Sequence, residues 1–231
     1  MPGLGTLANS VAIIVGALLG VLCKRGLPEK WQETMMNSIA LCIVVIGVQM
    51  AIKTHNIIII IFSLVLGAIV GEIIDIEGAM NRLGRFLGDK LCGNDASASA
   101  SIAAGFVNAS ILFCSGAMAI LGSIQDGSVA DHTTLFAKAT LDGLISLILS
   151  ANLGIGVALS ALSVGIYQGS ITLLAGFVGP LVTEAMLAEI TASGGIMVMA
   201  IGCNMLKITQ IRIGNLLPGM LFAAVITAII M

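Results

Sequence analysis

The class of this protein is decided by the stretch GLISLILSANLGIGVALSALSVGIYQGSITLLAGFVGPLVT, which covers residues 143–183. It contains no Asp, Glu, Lys or Arg over its whole length. A helix that crosses the hydrocarbon core of a bilayer needs about 20 apolar residues. The stretch is therefore long enough for the end of one crossing and the whole of the next, and we divide it at a predicted turn near Asn152–Gly154.

The rest of the chain has the same apolar character. Of its 231 residues, 58% are hydrophobic and 10% are charged, and the formal net charge is −2. A soluble domain carries about 25% charged residues, so this chain cannot cover itself with a polar surface. The absence of a basic tract excludes nucleic-acid binding. The five cysteines indicate small buried hydrophobic residues rather than disulfides. We predict an all-α integral membrane protein.

Eight stretches poor in charge have the length of a transmembrane helix. The sixth is too long for one straight helix, so we predict a break in it at Tyr167–Ser170. Residues 76–91 place apolar side chains at helical spacing among charged ones, which predicts a cytoplasmic amphipathic helix on the membrane surface or, alternatively, one that docks a partner. The eight predicted spans are residues 4–22, 35–52, 56–74, 99–124, 133–151, 154–183, 192–206 and 214–231.

The basic residues of the loops predict the orientation, because Lys and Arg are enriched in cytoplasmic loops. They follow the first, third and seventh spans. Eight crossings with both termini outside place all these loops in the cytoplasm. The residues concerned are Lys24, Arg25, Lys30, Arg82, Arg85, Lys90, Lys207 and Arg212.

Two segments of the chain are similar to each other. Residues 36–50 align without gaps with residues 191–205, and the loop before the first segment is basic whereas the loop before the second is acidic. We therefore predict an inverted-topology repeat of spans 1–3 and 6–8, which is typical of secondary transporters. The chain 1–231 would form one transmembrane domain: repeat A (4–74), the amphipathic helix (76–91), a central helix pair (99–151) and repeat B (154–231).

Polar side chains inside the spans are the candidate functional residues, because a charge at membrane depth costs a few kcal/mol. Lys138 and Asp142 lie four residues apart on one helix face and can pair. The pair is either purely structural, or Asp142 binds a proton or cation while Lys138 compensates its charge. The amides could line a polar pathway or bridge helices by hydrogen bonds. The predicted pathway comprises Asp142, Lys138, Gln168, Asn108, Asn152, Gln49 and Asn204.

Motifs of enzymes and of cofactor sites are not found in the sequence. There is no H-E-x-x-H sequence, Walker loop or nucleophile elbow, and His55 and His132 lie in predicted loops. We therefore expect no catalytic residues, no metal and no cofactor.

Several short phrases resemble a known family. They are NSVAIIVG (9–16), GFVN (105–108), FCSGAM (113–118), GSIQDG (122–127), LDG (141–143) and YQGS (167–170). Together they resemble the YqgA-like family of prokaryotic multi-pass inner-membrane proteins. The resemblance implies a prokaryotic plasma membrane as the location. The family is itself of unknown function, so it implies no site residues.

These observations favour a small transporter or channel-like protein for an inorganic ion or small solute, acting through a midplane polar pathway. The alternative is a structural or regulatory membrane protein without transport activity, acting through a partner. The expected partners are the lipid bilayer and an unidentified ion or solute. A homo-oligomer is also expected, because Gly16-x3-Gly20 and Gly67-x3-Gly71 suit packing between chains.

Overall fold

The computed structural model describes residues 2–24, 29–92 and 96–230, and within these residues it contains helices and no β-strand. Arg25, in the first predicted basic loop, lies outside them. The helices are α1 (Leu4–Lys24), α2 (Glu29–Ala51), α3 (Ile57–Ile74), α4 (Ile76–Cys92), α5 (Ala96–Cys114), α6 (Ala117–Ser128), α7 (Thr133–Leu153), α8 (Gly156–Leu173), α9 (Ala175–Val178), α10 (Glu184–Met205) and α11 (Pro218–Ile230), with 3₁₀ helices at Gly179–Leu181 and Ile213–Leu216.

Seven helices in the described part of the chain are long and apolar enough to cross a bilayer, which confirms the predicted all-α membrane class. The second predicted span, 35–52, falls on α2. The first turns of α2 carry charges, so its apolar part, Met36–Ala51, is shorter than the others. The predicted amphipathic helix corresponds to α4. The seven segments are Leu4–Cys23, Ile57–Ile74, Ser97–Cys114, Thr133–Leu153, Gly156–Leu173, Glu184–Met205 and Ile213–Ile230.

The predicted single span 99–124 is wrong. Helix α5 ends at Cys114, the chain bends at Ser115 and Gly116, and α6 begins at Ala117. Glycine favours such a break because it loses more conformational freedom in a helix than any other residue, and a serine hydroxyl competes for backbone hydrogen bonds. The chain is thus interrupted in the middle of an apolar stretch.

The predicted break at Tyr167–Ser170 is also wrong, because α8 continues through it to Leu173. The hydroxyl of Ser170 donates a hydrogen bond to the carbonyl oxygen of Ile166 in the same helix, at 2.6 Å. The interruption follows four residues later, where α9 and a 3₁₀ helix lead to Leu181. The predicted turn between spans 5 and 6 is confirmed: α7 ends at Leu153, and Gly154 has φ 76°.

The helices form two compact units. The first unit comprises Met1–Glu33, Met80–Cys114 and Met118–Leu181, and therefore contains α1, α5, α7 and α8. The second unit comprises Thr34–Ala79, Ser115–Ala117 and Val182–Met231, and therefore contains α3, α10 and α11 with most of α2.

In the first unit, α1 packs against α7 at very short range. A side chain at Gly16 would overlap with the carbonyl oxygen of Gly143, and one at Gly20 with that of Leu147. Hydroxyl groups of α7 add hydrogen bonds to the α1 backbone: Ser146 donates to Ile13 at 2.9 Å, and Ser150 donates to Ala17 at 2.8 Å. The Gly16-x3-Gly20 face that we expected between chains is therefore covered within this chain.

In the second unit, α2 packs against α10 through glycines of both helices. Gly47 lies against the backbone of Gly195 and Met199, and Gly202 lies against the backbone of Ala40 and Val44. Gly67 of α3 lies in the same way against Gly219 of α11. Close backbone approach at small residues is the usual packing of transmembrane helices.

Candidate functional site

The predicted charge pair lies in a buried polar cluster of the first unit. Lys138 Nζ donates to Asp142 Oδ2 at 2.6 Å, with both residues on α7. Asn9 Nδ2 of α1 donates to the same carboxylate oxygen at 3.0 Å and to Oε1 of Gln168, on α8, at 3.3 Å. Asn9 and Gln168 are 0% exposed, Asp142 5% and Lys138 6%. We call these four residues the polar cluster.

The local sequence explains why the cluster forms. Spacing of four residues places Lys138 and Asp142 on one face of α7. Gly16, two turns after Asn9, lets α1 approach α7 closely enough for the asparagine to reach the carboxylate. Helix α1 also packs along α8, which brings Gln168 to the other side of Asn9. Three helices therefore contribute to the cluster.

The charge of Asp142 determines how both amides are turned. An ionised carboxylate only accepts hydrogen bonds, so Asn9 must present its NH₂ group, and Gln168 must present its oxygen to that same group. Two atoms remain without a hydrogen-bond partner among the described residues: Asn9 Oδ1, an acceptor, and Gln168 Nε2, a donor. Unpartnered buried polar atoms are uncommon in native proteins and call for an explanation.

An open groove of about 320 Å³ runs between α1 and α8 in the first unit. Its walls include Thr6, Ser10, Gly165, Gly169 and Thr172. The hydroxyl groups of Thr6 and Thr172 are also buried and unpartnered within the described part of the chain. Thr6 lies three residues before Asn9, and Thr172 four residues after Gln168, so each threonine shares a helix face with one amide of the polar cluster.

The end of α5, which belongs to the first unit, is related to the charge pair. Cys114, the last residue of α5, lies near enough to be affected by the charges of Lys138 and Asp142. The end of α5 leaves backbone carbonyl groups without partners in their own helix, and these carry partial negative charge. Helix α5 thus ends within electrostatic range of the charge pair.

The remaining predicted pathway residues lie elsewhere. Asn108 is half-buried on α5, and Asn152 donates to the carbonyl oxygen of Ile148 in its own helix at 3.2 Å. Gln49 is exposed on α2, and both it and Asn204 belong to the second unit.

Asn204 closes the turn that follows α10. Its Oδ1 accepts from the Thr209 hydroxyl at 2.7 Å and from the backbone N–H of Ile211 at 3.0 Å, and its Nδ2 donates to the Ile211 carbonyl at 2.8 Å. The hydrogen-bonding capacity of this amide is therefore largely used within the turn.

Sequence reasoning missed a buried carboxylate at Asp126, which lies between the predicted spans 99–124 and 133–151 and belongs to α6. Asp126 is fully buried, pairs with Nδ1 of His132 and accepts from the backbone N–H of Gly3 at 2.9 Å. Asp131, in the loop that follows α6, is exposed. A hydrogen bond from the backbone N–H of Thr133 lowers the pKa of Asp131 below its ordinary value.

Glu189, which precedes the predicted span 192–206, is a second buried carboxylate that sequence reasoning missed. It lies on α10 and accepts from the Thr54 hydroxyl at 2.7 Å, from the backbone N–H of His55 at 2.7 Å and from that of Asn56 at 3.1 Å. It therefore holds the turn between α2 and α3. No local signal marks a partner more than 130 residues away. The described residues include no group of three His, Cys, Asp or Glu side chains placed to hold a metal ion.

Comparison with known proteins gives the following relatives. Residues 4–228 match the family described as "Protein of unknown function (DUF554)". The chain is 32% identical over 232 residues to the "Uncharacterized membrane protein YdfK" of Bacillus subtilis (strain 168), covering 98% of this chain and 96% of that protein. It is 29% identical over 232 residues to the "Uncharacterized protein YqgA" of Escherichia coli (strain K12), covering 97% and 96%. No solved structure matches.

Proposed function

The chain belongs to the family described as "Protein of unknown function (DUF554)", and we propose that this membrane protein is a small secondary transporter. It moves an inorganic ion or a small solute along a polar pathway through its first unit, in the plasma membrane of a prokaryote. Both relatives are bacterial, and one is described as a membrane protein, which supports that location.

The observation that carries the proposal is the polar cluster. It holds a Lys–Asp pair, with 7% of each side chain exposed, in a helix apolar enough to span a bilayer. A buried ion pair adds little net stability, because the cost of removing two charges from water offsets their attraction. Ionisable groups at this depth therefore mark ion or substrate pathways more often than structural supports.

The interrupted helix supports the same function. In secondary transporters, substrates and coupling ions bind where helices break near the middle of the membrane, because the helix ends offer free backbone groups. Helix α5, in the first unit, ends at Cys114, which lies within electrostatic range of Lys138 and Asp142.

Contacts within the second unit support the inverted repeat. The alignment of residues 36–50 with 191–205 pairs Ala40 with Gly195, Val44 with Met199 and Gly47 with Gly202. Gly47 contacts the counterparts of Ala40 and Val44, while Gly202 contacts Ala40 and Val44 themselves. A two-fold axis between α2 and α10 requires this exchange, and inverted repeats of transporters are related by such an axis in the membrane plane.

Asp142 is the ion site in this proposal. A proton or small cation on its carboxylate neutralises the charge that holds Lys138 and that accepts from Asn9. The cluster then has two states, one closed by the Lys138–Asp142 bond and one closed by the ion. A ligand that binds only one of two states shifts the population towards it.

Flux measurements on the purified full chain in proteoliposomes test the proposal. Proton movement is followed with an enclosed pH dye, and sodium, rubidium and chloride uptake with radiotracers. We expect at least one flux above that of empty liposomes, and its loss in Asp142→Asn. Asp131→Asn is the matched control, because it makes the same change at an exposed site. Equal flux in both variants would contradict the role of Asp142, and no flux of any ion would favour the structural or regulatory alternative.

A further inference from the structure

We infer that the ion bound at Asp142 is a proton and not a metal cation, and that Asn9 is the residue that sets this specificity. The inference rests on the proposed function and names the ion that the polar cluster accepts. Its structural basis is the set of groups that hydrogen-bond the carboxylate of Asp142, together with the direction in which each of them donates.

Among the described residues, the two side chains that hydrogen-bond the carboxylate of Asp142 both present N–H groups to it. Lys138 Nζ donates to Oδ2 at 2.6 Å, and Asn9 Nδ2 donates to the same oxygen at 3.0 Å. N–H groups carry positive charge, so they stabilise an anion and repel a metal ion at the same position. A metal ion that gives up its hydration shell needs several oxygen ligands instead. The surroundings of Oδ2 therefore suit a carboxylate that is not shared with a metal ion.

Gln168 holds Asn9 in this orientation. Its Oε1 accepts from Asn9 Nδ2 at 3.3 Å, so the NH₂ group of Asn9 is shared between two acceptors. If Asn9 turned its oxygen towards a metal ion at Asp142, that oxygen would also face Oε1 of Gln168, and two acceptors cannot form a hydrogen bond. Both amides are 0% exposed. Binding of a metal ion would therefore require two buried amides to turn together.

A proton at Asp142 requires no such change. Within the described part of the chain, both hydrogen bonds of the carboxylate go to Oδ2, which leaves Oδ1 available. A proton from water that binds Oδ1 converts the carboxylate to a carboxylic acid, and Oδ2 still accepts from Asn9. Asp142 is 5% exposed, and a proton needs neither a coordination shell nor a cavity. The cluster can therefore take up and release a proton with both amides in place.

Lys138 is the charged group that faces Asp142 from its own helix. Helices α1, α5 and α8 pack against α7, and apart from Lys24 at the end of α1 they contain no Asp, Glu, Lys or Arg. Their titratable groups near the pair are Cys114, within electrostatic range of Asp142, and Tyr167, within range of Cys114. Uptake of a proton by Asp142 therefore acts first on Lys138, which loses its counter-charge.

Infrared difference spectroscopy of the purified full chain in detergent tests the inference. The carboxylic acid form of Asp142 has a C=O stretching band that the carboxylate lacks. We expect this band to grow as the pH is lowered and to be missing from Asp142→Asn. At the pH where the band is half developed, replacing choline chloride by sodium, lithium or potassium chloride should leave it unchanged. A metal ion that competed with the proton would reduce the band by about tenfold at ten times its apparent Kd.

Two asparagine variants test the role of Asn9. Asn9→Asp replaces the NH₂ group by an oxygen at similar size, which offers a metal ion a second carboxylate ligand beside Asp142. We expect sodium or lithium to suppress the Asp142 band in this variant, by about tenfold at ten times the apparent Kd. The double variant with Asp142→Asn identifies that band. Asn152→Asp is the matched control, because its amide bonds the carbonyl oxygen of Ile148 in its own helix, and it should stay insensitive to metal ions.

Three results would overturn the inference. Suppression of the Asp142 band by a metal ion in the parent protein would assign the site to that ion. A parent protein that shows no Asp142 band at any pH at which it stays folded would mean that the carboxylate is not protonated. An Asn9→Asp protein as insensitive to metal ions as Asn152→Asp would show that Asn9 does not set the specificity.

Flux measurements separate these failures from a failure of the proposed function. After any of the three results, an Asp142-dependent flux in proteoliposomes would leave the proposed function standing. Absence of every flux, with an Asp142 band that responds to pH and not to metal ions, would instead remove transport and retain the proton site.

Discussion

At the scale of single residues, the hydrogen bonds that hold the charge pair use only one of the two carboxylate oxygens of Asp142. Asp142 Oδ2 accepts from Lys138 and from Asn9. Desolvation and attraction largely cancel for such a pair, whereas removal of one partner leaves an uncompensated buried charge. The stability of single and double variants at Lys138 and Asp142 therefore distinguishes an ion pair shielded from water from one that water already reaches.

Lys138→Met should destabilise the protein by about 3–5 kcal/mol, because Asp142 is left buried without a counter-charge. The double variant with Asp142→Asn should recover most of this loss. Thermal unfolding of the purified protein in detergent measures both. Lys53→Met, in an exposed turn, should change little. A Lys138→Met protein as stable as the parent would mean that the carboxylate is hydrated.

At the scale of helices, glycines fix where α1 meets its neighbours. Gly16 and Gly20 sit against backbone carbonyls of α7, whereas Gly169 faces open space in the groove. The two kinds of glycine look alike in the sequence, since both belong to Gly-x3-Gly patterns. An added methyl group should lower the stability of the protein at the first kind of glycine and raise it at the second.

Gly16→Ala should destabilise the protein by about 1–3 kcal/mol or more, because the methyl group forces α1 and α7 apart. Gly169→Ala should raise stability by about 0.5–1 kcal/mol, since alanine loses less conformational freedom in a helix. Melting temperatures in one detergent compare the two. Equal losses at both positions would contradict the packing described for α1 and α8.

Glu189 is the element-scale contact that joins α10 to the turn between α2 and α3. In Glu189→Gln, an NH₂ group would face donors that now share a carboxylate, so we expect a loss of about 1–3 kcal/mol. Glu184→Gln, exposed in the first turn of the same helix, is the matched control. Thermal unfolding distinguishes them, and a Glu189→Gln protein no less stable than this control would show that the turn is held by other contacts.

At the scale of the whole molecule, each compact unit contains helices of both predicted repeats. Helices α1 and α8 lie in the first unit, and α3 and α11 lie in the second. The predicted inverted repeat requires an even number of crossings. Each copy of the repeat contributes three, and the central helix pair between them contributes two. The membrane role of α2, whose apolar part is short, therefore decides the topology.

Reporter fusions test this topology. We expect alkaline phosphatase to be active when fused at either end of the chain. We expect green fluorescent protein to fluoresce when inserted in the first predicted basic loop, next to Arg25, because basic loops stay in the cytoplasm. An active N-terminal fusion with an inactive C-terminal one would mean an odd number of crossings. That result would contradict the predicted inverted repeat.

The sequence by itself was sufficient for the class, most helix positions and the Lys138–Asp142 pair. These depend on local properties: the length of apolar runs, and the spacing of four residues that aligns two side chains on a helix. Local sequence signals did not predict where the helices are interrupted. Tyr167–Ser170 looked interrupted but stays helical, whereas Ser115 and Gly116 bend inside an apolar stretch.

Tertiary structure alone decided which side chains meet. Asn9 reaches Asp142 across 133 residues, and Glu189 reaches Thr54 across 135. Such contacts depend on which helices pack together, and in a chain of uniformly apolar helices the hydropathy pattern does not distinguish one neighbour from another. The close approach of α1 to α7 at Gly16 selects the neighbour, and through it the residues that surround the buried charge.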